Sequence, residues 1–195
     1  MEYKYTQDWT TVEIPTWEKV LIPLFKDRET HAIELGAFEG RSTVWMLENL
    51  LTHPKSTIDC VDTWEGGIND DRYNKIIDWN GGKTNFLHNI EPFKDRVRVH
   101  QETTFTYLKK RTELADLIYV DAGHFASDCL IDSVQAHIIL KPGGVIIFDD
   151  YLWTRLESNP ITPKPAIDAF INCFCRDYEL LALGYQVILR KNMVK

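Results

Sequence analysis

The stretch "HAIELGAFEGRSTVWMLENLL", His31–Leu51, holds the reading on which the fold turns. Its first six residues form a short apolar run ending in Gly36, which is the pattern of a buried strand. Gly36 and Gly40 bracket a tight turn, and "RSTVWMLENLL" continues with helical spacing. Strand, glycine turn, helix is the opening of an α/β unit. Working outward, the same alternation recurs. "STIDCVD" (56–62) reads as a strand and "KTNFLHNIEPF" (83–93) as a helix with Phe86, Ile90 and Phe93 on one stripe. "RVRVHQ" (96–101) is an alternating strand and "TFTYLKKR" (104–111) a short helix. "LADLIYVD" (114–121) is a strand, "SDCLIDSVQAHIIL" (127–140) a helix, "KPGG" (141–144) a turn and "VIIFDD" (145–150) a fifth strand. "AIDAFINCFCRD" (166–177) is a helix, and "YELLALGYQVILRK" (178–191) a hairpin joined at Gly184. The expectation is a Rossmann-like sheet of seven strands, mostly parallel, closed by an antiparallel C-terminal hairpin, with helices on both faces.

The chain has 195 residues, 44% hydrophobic and 26% charged, which suits one domain spanning 1–195. Trp9, Ile14, Trp17, Val20 and Leu24 fall partly at helical spacing, so residues 1–30 read as a helical cap. Two stretches rich in Gly, Asn, Asp or Pro, within 65–95 and 151–165, read as loops over the site. The net charge of −7 argues against broad nucleic-acid binding, which needs a basic footprint. No run is long enough to span a membrane, and the N-terminus lacks a signal-peptide pattern, so a cytoplasmic location is expected. The four cysteines have no C-x-x-C pair and read as reduced thiols.

In open α/β sheets the ligand sits at the carboxyl ends of the strands. Asp62, Asp121, Asp149 and Asp150 all fall there, on one rim. The turn "ELGAFEGRS" lacks the G-x-G-x-x-G fingerprint, because Phe38 stands where a pyrophosphate needs bare backbone, and Glu34 would repel phosphate. S-adenosylmethionine, which carries no phosphate, suits the turn better; a plain β–α turn accounts for the same residues. Asp62, 22 residues after Gly40, stands where an acid accepts hydrogen bonds from ribose hydroxyls. Asp121, Asp149 and Asp150 on neighbouring strand tips would repel one another unless a hard divalent cation, Mg²⁺ or else Ca²⁺ or Mn²⁺, shares them. The competing reading is that one aspartate caps a turn. His124, three residues past Asp121, has the unperturbed pKa of a general base.

In this order "ELGAFEGRST", "VDTWEGG", "LIYVDAGH", "LKPGG" and "IIFDDY" resemble the class I S-adenosylmethionine-dependent methyltransferases. The resemblance runs from about His31 onward. It is nearest to the small group that includes macrocin-type sugar O-methyltransferases, and it extends to catechol O-methyltransferase. It implies that Glu34, Gly36, Phe38, Gly40 and Ser42 line the methionine end of the cofactor and that Asp62 takes the ribose. Thr103 and Thr104 would lie near the adenine, with Thr63 beside Asp62. It implies a metal triad of Asp121, Asp149 and Asp150, with Asp121 also bordering the cofactor and serving catalysis beside His124. Gly123 stands where the catechol enzyme carries an aromatic residue on the adenine, and Trp64 is the candidate replacement. The implied reaction is O-methylation of a small polyhydroxyl acceptor, a sugar or catechol-like ring. The expected partner is that acceptor, with no nucleic acid or membrane; self-association stays open. A metal-independent methyltransferase, a nicotinamide-dependent oxidoreductase and a non-catalytic nucleoside-binding subunit are the alternatives.

Overall fold

The computed structural model describes residues 1–66, 77–153 and 162–193. Seven strands form one sheet: β1 (His31–Leu35), β2 (Thr57–Asp62), β3 (Val97–Gln101), β4 (Ala115–Val120), β5 (Leu140–Phe148), β6 (Tyr178–Leu183) and β7 (Val187–Lys191). Their order is β3-β2-β1-β4-β5-β7-β6. The first five are parallel, and β7 runs antiparallel between β5 and β6. All six residues of β4 are buried, as a strand covered on both faces requires, whereas edge strand β3 is mostly exposed or half-buried.

Helices cover both faces. On one lie α1 (Ile14–Val20), α2 (Ile22–Phe25), α3 (Arg41–Trp45, continued by a π-helical turn to Leu50) and α4 (Trp79–Ile90). Trp17, Phe25, Met46, Phe86 and Ile90 bury there against Ile58, Tyr119 and Ile147. On the other lie α5 (Thr104–Lys110), α6 (Ala126–Ile139) and α7 (Lys164–Cys173), with Tyr107, Ala136, Ile167 and Phe170 against Ile33, Ile118 and Ile146. Each fully buried aliphatic or aromatic side chain of this kind contributes roughly 1.5–3 kcal/mol.

Two local readings change. "KPGG" is not a turn before β5 but part of it: the strand begins at Leu140 and carries an irregularity opposite Ala115 and Leu117, where Gly143 takes a φ of +77°. Glycine tolerates that left-handed backbone, so the strand bends without ending. Trp9 does not join the N-terminal helices; it precedes them, 51% exposed. Of the two expected loops, α4 occupies Trp79–Ile90 and α7 begins at Lys164. The remainder of each, 67–76 and 154–161, lies outside the described residues. No helix among the described residues is long and apolar enough to cross a membrane.

One buried charge supports the sheet away from the rim. Asp59 of β2 is fully buried; His100 Nε2 lies 2.7 Å and His31 Nε2 3.1 Å from its oxygens, and Arg111 donates at 2.9 Å. Burial pushes its pKa up, but the hydrogen bonds from His31 and His100 and the Arg111 charge outweigh that and hold it at about 2. A folded pKa below the unfolded value contributes stability that is present above about pH 4 and lost as pH falls toward 2. The contribution is on the order of 2 kcal/mol. The expected result is a melting temperature that drops between pH 4 and 2 in the wild type and drops less steeply in Asp59→Asn. Equal slopes in the two proteins would assign the acid sensitivity to other groups.

Candidate active site

Strand order reverses between β1 and β4, and there the adjacent connections leave in opposite directions and open a crevice. The glycine turn after β1 borders it. Gly36 has a φ of +89°, and a Cβ on it would lie 1.8 Å from the Asp121 carbonyl oxygen. No other residue fits there: the turn needs the left-handed backbone and the bare approach to β4 at once. Asp62, at the tip of β2, closes the turn. Its Oδ2 accepts from the Ala37 and Phe38 amides, both at 2.9 Å, and its Oδ1 from the Trp64 amide at 2.7 Å. A carboxylate offers about four lone-pair sites, so capacity for one further donor remains.

The two adjacent aspartates after β5 point apart. Asp149 turns inward: Tyr119 OH and Gln186 Nε2 (2.9 Å) donate to its Oδ2, and the Asp150 amide donates to its Oδ1 at 2.7 Å. Trp17 Nε1 donates to Gln186 Oε1 at 2.6 Å, so the chain ends in the core. Asp150 has a φ of +59°, a conformation aspartate tolerates better than most residues, and this turns its carboxylate to the rim. There Oδ2 lies 3.0 Å from His124 Nε2, and Oδ1 accepts from Tyr185 OH at 2.9 Å. The Trp153 ring stands 5.4 Å from the imidazole.

Ligand atoms of Asp121, His124 and Asp150 all lie within 4.8 Å of one another. They border a cavity of about 10 Å³, room for an ion or one water. A larger apolar groove of about 370 Å³, between α7 and β6, contains none of these groups.

Burial and the charges of Asp149 and Asp150 push the Asp121 pKa well above the carboxylate range. Burial and Asp150 raise Asp149 to about 6. The His124 side chain is 47% exposed, so its desolvation, which lowers the pKa, is partial. The Asp150 hydrogen bond and the nearby negative charges outweigh it and raise the pKa.

A family model described as a methyltransferase domain matches residues 33–151. The chain belongs to this family. It is a class I S-adenosylmethionine-dependent methyltransferase, and the sheet order above is that of its fold. Solved structures share the fold at low identity. The O-methyltransferase from Bacillus cereus in complex with SAH is 16% identical with a TM-score of 0.68, over 96% of this chain and 84% of that one. TomG from Streptomyces achromogenes, an O-methyltransferase of tomaymycin synthesis in complex with SAM, is 16% identical with a TM-score of 0.67, over 92% and 80%. The SAH-bound methyltransferase PaMTH1 of Podospora anserina is 16% identical with a TM-score of 0.62, over 85% and 72%. No curated protein matches the chain in sequence.

Several residues assigned from the motifs have structural partners in this methyltransferase. Glu34 is fully buried and accepts from the Ser42 and Thr43 hydroxyls; burial raises its pKa to about 7, against those hydrogen bonds. Glu34 and Ser42 therefore brace β1 against α3. Trp64 is 2% exposed; it packs on Phe86 at 5.2 Å and donates to the Phe38 carbonyl at 2.7 Å. It supports the glycine turn from below and presents no open face for an adenine. The Thr63 hydroxyl accepts from the Glu65 amide at 3.2 Å. Thr103 caps α5 through the Thr106 amide, and Thr104 donates to Asp132 of α6 at 2.8 Å. Gly40, with a φ of +74°, precedes α3. Of the three aspartates read from the motifs as a metal triad, Asp121 and Asp150 share a cluster of ligand atoms with His124, while Asp149 lines the same small cavity with its oxygens accepting from three donors.

The motifs assign no role to Tyr119, Gln186 or Trp17, which hold Asp149 in place. Tyr119 carries a signal, since it stands two residues before Asp121 on β4. Gln186 and Trp17 carry none, because they reach the site from the hairpin and the N-terminal helices.

Proposed function

We propose that this methyltransferase moves a methyl group from S-adenosylmethionine to a hydroxyl oxygen of a small polyhydroxyl acceptor, a sugar or catechol-like ring, with a divalent cation held at Asp121 and Asp150. The observation that carries this reading is the His124–Asp150 pair beside Asp121, at the crevice bordered by the glycine turn. Asp150 orients the imidazole, and His124 accepts the hydroxyl proton as the oxygen attacks the methyl carbon and sulfur keeps the electron pair of the broken bond. Trp153, its ring 5.4 Å from the imidazole, places an aromatic side chain beside the proposed base.

The donor set fits a cation. Two close carboxylates have no lysine or arginine paired with them among the described residues, and the cavity between them is ion-sized. When bound, Mg²⁺ or Mn²⁺ would lower the acceptor hydroxyl's pKa and orient it. The clustering of His124 with Asp121 and Asp150 favours a second reading, in which the imidazole is a ligand and the preference shifts toward Mn²⁺. Mn²⁺ binding followed by electron paramagnetic resonance separates the two: His124→Ala binds Mn²⁺ as the wild type does if His124 is a base, and weakly if it is a ligand.

The function is tested by methyl transfer to a panel of sugars and catechols, read as S-adenosylhomocysteine release. Nucleoside binding is tested at Asp62. Asp62→Ala removes the remaining acceptor site for ribose and unties the Ala37 and Phe38 amides. The expected loss of S-adenosylmethionine affinity is roughly 1.5–3 kcal/mol. Calorimetric titration giving wild-type affinity would remove Asp62 from the nucleoside site.

A further inference from the structure

Segment ends are ordinarily poorly ordered unless tied down. The segment Lys4–Trp9 has no regular structure, yet it is tied at almost every residue, and most of the ties lead to the glycine turn or the helices beside it. The Asn89 side chain, fully buried on α4, bonds the Lys4 amide at 2.7 Å and carbonyl at 2.8 Å, and the Glu39 carbonyl at 2.9 Å. Glu39, inside the turn and 3% exposed, accepts from the Thr6 amide (2.6 Å), the Thr6 hydroxyl (2.8 Å) and Asn85 Nδ2 of α4 (2.8 Å). Arg41 Nε donates to the Gln7 carbonyl at 3.1 Å while its guanidinium lies 4.2 Å from the Tyr5 ring centroid. The Trp9 ring stacks on Phe38 at 5.4 Å, and Trp79 meets Phe38 edge-on at 5.3 Å.

Phe38 is the strained residue of the turn, with a φ of +42°. Such backbone is costly for a bulky residue and persists only where the surroundings hold it. Its ring is gripped by Trp9 and Trp79, its amide by Asp62 and its carbonyl by Trp64. The neighbouring Glu39 joins the segment, the turn and α4 through one buried carboxylate. A turn held from outside in this way keeps its ligand-facing backbone in one shape.

We propose that Lys4–Trp9 is a strap over the cofactor turn, with Trp9 and Glu39 as positioning residues, and that it sets how fast the adenosyl ligand leaves. This rests on the reading that the turn binds S-adenosylmethionine. Surface plasmon resonance with S-adenosylhomocysteine on the intact chain tests it. Trp9→Ala is expected to speed dissociation about 10-fold. Because Trp9 is half exposed, its melting temperature should stay within about 2 °C of the wild type. Trp9→Phe should restore the slow rate, because an aromatic ring again covers Phe38. Glu39→Gln, which leaves fewer acceptor sites for Thr6 and Asn85, should shift the rate in the same direction. Wild-type dissociation in both Trp9→Ala and Glu39→Gln overturns the strap alone. A wild-type chain that binds no S-adenosylhomocysteine overturns the cofactor reading and the strap with it.

Discussion

His124→Ala is expected to lower turnover by about 10²–10⁴ while S-adenosylmethionine affinity stays nearly unchanged. The magnitude is that of losing a positioned general base, and the split follows from geometry. His124 reaches the rim through Asp150, 3.0 Å away, and makes no hydrogen bond with the glycine turn or Asp62. Its removal therefore leaves the nucleoside side of the crevice intact. A base acts only when unprotonated, so wild-type activity should rise with pH through the imidazole titration, and the variant should lose that rise. Steady-state rates on a methylated acceptor, measured beside calorimetric titration, check both parts. Near-wild-type turnover in the variant would leave His124 without a role in proton removal.

Removal of divalent cations should abolish methyl transfer, and Mg²⁺ or Mn²⁺ should restore it. Cofactor binding should persist through chelation, since the proposed cation ligands Asp121 and Asp150 lie in a cluster of ligand atoms that includes no group of the glycine turn. A cation that binds only the folded chain also raises its stability, by about 2.7 kcal/mol at a hundred times Kd. The melting temperature of the wild type should climb with added cation. Asp121→Asn and Asp150→Asn should lose most of that climb, because a neutral amide is a poorer ligand for a hard ion. Asp149→Asn should keep it, since Tyr119, Gln186 and the Asp150 amide already occupy its oxygens. A climb lost in Asp149→Asn and kept in Asp150→Asn would reverse the assignment. Full activity in excess chelator with no thermal response would remove the cation altogether.

Much of the fold was legible because its signals are local. The apolar runs Leu117–Val120 and Val145–Phe148 lie in strands buried on both faces, and continuous hydrophobicity says so. Gly36 marks the turn because no side chain fits against Asp121 there. The carboxylates fall on one rim because parallel strands all end on the same side. The order of motifs was enough for the family.

The directions of the side chains were not legible. Asp149 and Asp150 are identical neighbours in the chain, yet one is tied to Gln186, which arrives from the β6–β7 hairpin, and the other meets His124. Nothing in the sequence marks Glu39 as buried; it becomes so because Thr6 and Asn85 fold onto it. Trp64 reads as a stacking platform until Phe86 of α4 covers it. Periodicity and glycine placement act over a few residues, so sequence carries them openly. Which oxygen is free for a ligand depends on donors brought in by segments tens of residues away, and only the packed sheet and its helices set those distances.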